Sequence, residues 1–313
     1  MRRTVWRTAV PAFLVLLVTC SEGFAAYVGD RYFPSTLATV VPTPADFYNP
    51  PFFVKLPDVG TTRELDIATT YARLVNKDFE VNFTETFRII EESNRGTQTR
   101  SGFDNFVIGT KYALYTNPED QFIFSVGGTA AIGGTGSPNI ASSFSTLTPT
   151  VFIGKGFGNL PDSMAWLRPV TISATAAVAV PTDSTSLITT TLPTGGTTLG
   201  ETINPKILQL GFALEYSLVT NEYTGPNRTG TRYPSGWVPL IELTTATPLN
   251  GPLAGRTTGT INPGFIWLSR YLQVGVEAII PMNANSGRDV GFRAQAHLYL
   301  SAIFPGLKPI FGN

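Results

Sequence analysis

The sequence predicts an all-β fold, an antiparallel up-and-down transmembrane β-barrel of about twelve strands. Three observations support this fold class. Charged residues make up only 14% of the 313 positions, against about 25% in soluble domains. Apolar and polar residues alternate over long stretches. Most of these stretches run about ten to fifteen residues, whereas strands of soluble proteins peak near ~5–6 and a tilted membrane strand needs about 9–11.

The N-terminus has the composition of a secretory signal peptide. Three arginines precede an apolar run at 9–18, which is far shorter than the ~20 residues of a membrane helix. Small residues place the cleavage site after Ala25 or Ala26. Cleavage removes Cys20, the only cysteine, so the mature chain has no disulfide and no cysteine metal site. The alternative is a lipoprotein acylated at Cys20, although Thr19 is a poor residue before an acylated cysteine.

We divide the chain into four parts. A signal peptide occupies 1–25, an irregular proline-rich segment 26–62, the barrel 63–304 and a C-terminal tail 305–313. Proline removes donors from a strand ladder, so the proline-rich segment is poor strand sequence, although one strand around 52–56 can lie within it. Whether this segment fills the barrel or remains in the periplasm stays open.

The stretch 79–89 shows the alternation most clearly. Its apolar face consists of Phe79, Val81, Phe83, Phe87 and Ile89, and the positions between them are polar. A two-residue period places successive side chains on opposite faces of a strand. Only Glu85 falls on the apolar face. The same period predicts eleven strands from residue 63 onward, and the even number typical of bacterial barrels adds a twelfth before them.

Short and long connections alternate along the chain. Short turns are predicted at 76–78, 117–120 and 269–270, and long loops at 91–101, 133–145, 181–205 and 248–258. Outer-membrane barrels show this alternation, with short turns in the periplasm and long loops outside. Two connections depart from it: 221–235 is long where a short turn is expected, and 283–289 is short where a loop is expected.

The polar faces carry the candidate functional residues, which we expect to line the lumen. They are Glu64, Asp66, Glu80, Arg88, Lys111, Gln209, Glu215, Glu242, Gln273, Glu277, Arg293, Gln295 and His297. Both charge signs are present. The set forms either a paired internal network that holds the barrel in shape, or a polar track for a solute.

His297, the only histidine, raises the question of catalysis. A lipid-acting barrel enzyme would need a nucleophile beside such a base, but the sequence has no Gly-x-Ser-x-Gly elbow. One histidine and no mature cysteine also argue against a transition-metal site. We therefore expect no enzyme, no catalytic residue, no metal and no cofactor.

Two further classes of partner are excluded by composition and motif. Glycines at 127–128 and 133–136 resemble a phosphate loop, but no lysine follows and no helix is predicted, so we interpret them as bends. Removing the signal peptide leaves 19 basic and 21 acidic residues. A net charge near −2 gives no basic patch for nucleic acid.

The stretch 102–112, Gly-Phe-Asp-Asn-Phe-Val-Ile-Gly-Thr-Lys-Tyr, is the most specific part of a family resemblance. With the signal peptide and the long strands, it makes residues 60–304 resemble bacterial outer-membrane barrels of the MetA-pathway phenol-degradation type, often called transporters. This resemblance implies an outer-membrane channel for a small, apolar or aromatic solute. It implies no catalytic residues.

The expected partners are outer-membrane lipids, the barrel-assembly machinery and an unidentified solute. The assembly machinery reads a terminal aromatic in many such barrels, but here the last strand ends near Phe304 and a tail follows. Two alternatives to a channel stay open. One is a structural or partner-binding barrel that uses the loops 133–145 and 181–205, and the other is a lipid-acting enzyme.

Overall fold

A computed structural model describes most of the chain downstream of the predicted signal peptide. The described residues are 27–29, 31–93, 97–191, 197–218 and 235–311. The signal peptide and residues 221–234 of the predicted long connection lie outside this part. No helix within it is long and apolar enough to cross a bilayer.

The strands form a closed antiparallel barrel, which confirms the predicted fold class. In chain order they are β1 (Tyr27–Val28), β2 (Arg31–Tyr32), β3 (Phe47–Lys55), β4 (Thr62–Asn76), β5 (Phe79–Ser93), β6 (Thr97–Phe103), β7 (Val107–Asn117), β8 (Phe122–Ala131), β9 (Thr146–Gly156), β10 (Val170–Pro181), β11 (Thr185–Thr191), β12 (Thr197–Ile203), β13 (Ile207–Tyr216), β14 (Gly236–Pro248), β15 (Thr258–Leu268), β16 (Leu272–Pro281) and β17 (Gly291–Tyr299). A 3-10 helix (Asp162–Leu167) and a short α-helix, α1 (Leu300–Ile303), border the barrel.

Each barrel strand pairs with its neighbours in sequence, and β17 pairs with β3 to close the ring. The main sheet contains thirteen strand segments. Two of them, β6 and β7, pair with opposite ends of β5 and form one wall strand interrupted at 104–106. The barrel therefore closes with twelve strands, as predicted.

Two predicted boundaries differ from the structure. Residues 91–101, predicted as a long loop, are mostly strand, because β5 and β6 continue as a hairpin. The long connection 181–205 contains a second hairpin, β11–β12. Backbone pairing extends both hairpins past the stretches of clear apolar alternation. The first barrel strand, β3, lies within the proline-rich segment 26–62.

The alternation of side chains sorts the barrel into two faces. Along β13, Leu210, Phe212 and Leu214 are exposed on the outside, whereas Ala213 and Glu215, at alternate positions, are buried on the inside. The exposed outer positions include the aromatic residues at strand ends: Tyr71, Tyr112, Tyr115, Trp166, Trp237, Trp267, Tyr271 and Phe304. Most of these border the short turns, where an interfacial girdle is expected.

Candidate functional site

The barrel is not hollow, because residues 31–46 lie inside it. We call this stretch the plug. It begins with β2, the second strand of the small β1–β2 hairpin at the short-turn end, and leads directly into β3. Phe33, Thr39 and Thr43 of the plug are almost completely buried, whereas Val40 is half exposed. The irregular, proline-rich sequence thus fills part of the lumen instead of hanging free.

The first half of the plug is held by one carboxylate of the wall. Glu242, which is fully buried on β14, accepts hydrogen bonds from three consecutive backbone N–H groups. The N···O distances are 2.9 Å from Leu37, 2.9 Å from Ala38 and 2.6 Å from Thr39. Three charge-assisted bonds satisfy the buried carboxylate and fix the backbone of the plug at this height.

The second half of the plug is held by the opposite side of the wall. Lys111 on β7 donates to the carbonyl of Thr43 at 3.3 Å and pairs with Glu80 on β5 at 3.4 Å. Glu80 also accepts the backbone N–H of Ala45 at 2.9 Å. Ser125 on β8 donates to the carbonyl of Pro42 at 2.7 Å. Polar wall residues therefore replace the hydrogen bonds that this non-repetitive backbone lacks.

Glycines in the wall make room for the plug. A Cβ atom at Gly275 of β16 would lie 2.5 Å from the Leu37 Cδ2 atom, and one at Gly154 of β9 would lie 2.6 Å from the Pro42 Cγ atom. A larger residue at either position would displace the plug side chain that packs against it. These glycines therefore let side chains of the plug pack directly against the backbone of the wall.

A cluster of aromatic and amide side chains joins the plug to the wall at the turn end of the lumen. Gln273 of β16 accepts the N–H of Ser35 at 3.1 Å and the hydroxyl of Tyr299 at 2.9 Å. Tyr299 and Tyr32 also hydrogen-bond through their hydroxyl groups. The plug is thus joined to the wall next to α1, where the barrel ends.

The remaining lumen is a cavity of about 780 Å³. Its lining reaches from Thr258 and Ser286 at the loop end to Arg270 and Ser301 at the turn end. Threonines dominate the wall above the plug: Thr62, Thr70, Thr84, Thr110, Thr129, Thr148, Thr150, Thr175, Thr244, Thr245, Thr258 and Thr260. Each offers a methyl group and a hydroxyl. The wall is therefore mildly polar and carries few charges.

The candidate residues from the sequence fall into three groups in the structure. Four of them contact the plug: Glu80, Lys111, Glu242 and Gln273. Six make polar contacts within the wall. Arg88 lies 3.6 Å from a carboxylate oxygen of Glu64 and 3.6 Å from one of Asp66. Arg293 pairs with Glu277 at 2.6 Å, and Glu215 accepts a hydrogen bond from Thr171 at 3.1 Å. The last three border the cavity: Gln209, Gln295 and His297.

His297 contacts side chains of β3 and of its own strand, β17. Its Nδ1 atom lies 2.8 Å from the Asn49 Oδ1 atom. The Phe47 ring stacks on the imidazole at 4.7 Å between centroids, and Tyr299 meets it edge-on at 4.9 Å. The imidazole is thus fixed against β3, in the wall beside the cavity.

Sequence reasoning missed the threonine lining and the plug residues. The threonines occupy the same alternate positions as the charged candidates, so their spacing carried a usable signal. The plug has neither a two-residue nor a helical period, and no local pattern placed it inside the barrel.

Comparisons with known proteins support the fold. No family model matches the chain, and no curated protein matches it. Among solved structures, the COG4313 outer membrane channel from Pseudomonas putida F1 matches with a TM-score of 0.54 and 9% identity, covering 86% of this chain and 99% of that one. KdgM porin matches at 0.45 and 11%, covering 80% and 98%. The translocator domain of autotransporter NalP from Neisseria meningitidis matches at 0.45 and 8%, covering 81% and 87%. The chain thus shares the fold of a solved outer-membrane channel.

Proposed function

We propose that this protein is an outer-membrane channel that passes small, uncharged solutes through its lumen. The observation that carries the proposal is the cavity of about 780 Å³, which runs inside a closed barrel and is lined by residues from both ends. The apolar outer face suits contact with lipid, and the interfacial aromatics suit its turn-end border.

The lining favours a neutral solute over an ion. Most charged groups of the inner wall are already paired with each other or with the plug, so a charged solute would meet few free partners. Threonine methyl and hydroxyl groups suit a molecule with both apolar and hydrogen-bonding surface. The resemblance to MetA-pathway phenol-degradation barrels points the same way, toward apolar or aromatic molecules.

The first test establishes whether the chain is a membrane barrel. Outer-membrane fractions from cells expressing the full chain are run on gels with and without boiling. We expect a heat-dependent shift in mobility, because folded barrels resist detergent. A protein found soluble in the periplasm, without a shift, would refute the membrane assignment.

The second test uses two adjacent positions on β9. Thr150 lines the cavity, whereas Val151 faces outward and is exposed. Thr150→Trp should slow uptake of a neutral fluorescent aromatic, such as N-phenyl-1-naphthylamine, and Val151→Trp should not. Equal uptake by both variants and the wild type, at equal amounts of folded barrel, would favour the structural or partner-binding alternative instead.

The lipid-acting enzyme predicts a different result. Under that hypothesis, purified barrel releases fatty acid from phospholipid vesicles, and His297→Ala abolishes the release. A channel should release none in either form.

A further inference from the structure

From Leu37 to Asp46, the plug follows the inner wall around the lumen. Leu37 packs at Gly275 on β16, and the following N–H groups bind Glu242 on β14. Thr39 lies next to Gly211 on β13, and beyond the half-exposed Val40 the plug reaches the strands on the other side of the barrel. It then contacts β9, β8, β7 and β5 in that order, through the bonds described above, and its last residue, Asp46, accepts the N–H of Leu74 on β4 at 2.8 Å.

Two neighbouring strands border the cavity beside the open side of this arc. They are β17 and β3, which carry Gln295, His297 and Asn49 on the cavity lining. The lining continues past them to Tyr299 and Ser301 at the turn end. The cavity therefore passes the plug on this side.

The route is narrow at this height. Asn49, Gln295 and His297 border the cavity, yet each is more than nine-tenths buried. Phe47 stacks on His297 and Asn49 hydrogen-bonds to it, so the side chains hold each other in place. Asn49, Gln295 and Phe47 carry no charge, so these side chains can discriminate between solutes only by size and by hydrogen bonding.

The wall at the same height has a gap in its strand pairing. Pairing between β17 and β3 is interrupted between Ala294 and Leu298, and β3 shifts register against β4 between Asn49 and Phe52. Pro50 and Pro51 lie in this gap and have no N–H to donate. Few ladder hydrogen bonds therefore constrain the backbone at this point.

We propose that solute passes the plug between its arc and the β3–β17 wall, and that Asn49, Gln295 and His297 form the constriction that determines what passes. This proposal rests on the proposed channel function. It assigns selectivity to three uncharged or aromatic wall positions, and gives the buried ion pairs the task of holding the plug in place.

The test uses single cysteines, because the mature chain is expected to contain none. Gln295→Cys places a thiol on the route. Ser173→Cys is the matched control, since Ser173 is also completely buried on the inner wall but does not border the cavity. Purified full-length barrels are inserted in planar bilayers, and single-channel conductance is recorded before and after a small, uncharged methanethiosulfonate.

We expect the reagent to reduce the conductance of Gln295→Cys by more than half and to leave Ser173→Cys and the wild type unchanged. Loss of heat-dependent mobility in a variant would mark a folding defect. In that case Gln295→Ala replaces the cysteine variant, and we expect its conductance to rise. The control Ser173→Ala should conduct like the wild type.

The outcomes separate this proposal from the channel function. A wild-type barrel that inserts but passes neither ions in the bilayer nor the neutral probe in the uptake assay would overturn the channel function, and the route with it. If the wild type passes the neutral probe but no ions, uptake of that probe replaces conductance as the readout for the same variants. A conducting barrel that is blocked equally at both cysteines, or at neither, would leave the channel function standing and overturn the route.

Discussion

Glu242 accepts a 2.6 Å hydrogen bond from the backbone N–H of Thr39, a residue 203 positions earlier in the chain. The same carboxylate binds the two preceding N–H groups of the plug. One buried side chain of the wall thus fixes the segment that occupies the lumen.

Weakening this anchor should loosen the plug without opening the barrel wall. In Glu242→Gln, the amide NH2 group faces N–H donors and the charge is lost. Hydrogen bonds to charged groups contribute about 1.5–3 kcal/mol each, so their loss should loosen the plug. A loosened plug obstructs the lumen less, and we expect a larger and noisier conductance. Glu201→Gln is the control, because Glu201 is exposed on β12. Equal conductance in both variants would contradict the anchoring role.

A steric change should release the plug by an independent mechanism. Gly275→Val places a side chain where Leu37 packs, so the Leu37 side chain must move away from the wall and its packing there is lost. We expect limited protease to cleave the plug of this variant while the barrel stays intact. Gly306→Val, at an open position of the tail, should behave like the wild type. A resistant plug in Gly275→Val would show that the packing at Gly275 is not required.

The buried Lys111–Glu80 pair should contribute to stability only as a pair. Removing one partner leaves an uncompensated buried charge, at a cost of about 3–5 kcal/mol. Lys111→Met should therefore lower the temperature at which the gel shift is lost. The double variant Lys111→Met, Glu80→Gln should recover part of that loss, and a fully additive result would count against direct coupling.

Asn105 should hold the loop 132–145 against the barrel. Its side chain donates to the Ser142 carbonyl at 2.8 Å and accepts the N–H groups of Thr135 and Gly136 at 3.3 and 3.4 Å. Asn105→Ala removes all three bonds, so we expect faster protease cleavage within this loop. Asn139→Ala, at an exposed position of the same loop, is the control, and equal cleavage rates would refute the role of Asn105.

The contact between two outer loops should depend on pH. Lys55 donates a 2.6 Å hydrogen bond to Asp289. This bond, aided by the N–H of Asp58, holds the pKa of Asp289 below its ordinary value. This contact stabilises the folded protein at pH values above the pKa of an unfolded aspartate, about 3.9. The stabilisation is lost as the pH falls through the lower pKa that Asp289 has in the folded protein.

Hydrogen exchange of the peptide 56–61 measures this contact. At neutral pH we expect Asp289→Asn to exchange faster than the wild type. The difference should disappear in acid, once Asp289 is protonated. A difference that persists unchanged at low pH would show that the carboxylate charge is not responsible.

The sequence by itself determined the architecture. The alternation in stretches such as 79–89 identified the strands and their two faces, because side chains of a strand project to opposite sides whatever its partners are. The even strand number required one more strand before residue 63, and β3 occupies that place. Glu80, Glu242 and His297 alternate with apolar residues along their strands, so the sequence assigned them to the inner face before any partner was known.

Only the tertiary structure decided what these inner residues do. The plug has no repeating pattern, and its position depends on contacts such as Thr39 with Glu242, between residues far apart in the chain. Register between strands decides that Lys111 faces Glu80, and a two-residue period leaves that register undetermined. A local pattern specifies which face a side chain occupies, whereas its partner depends on how the whole barrel closes.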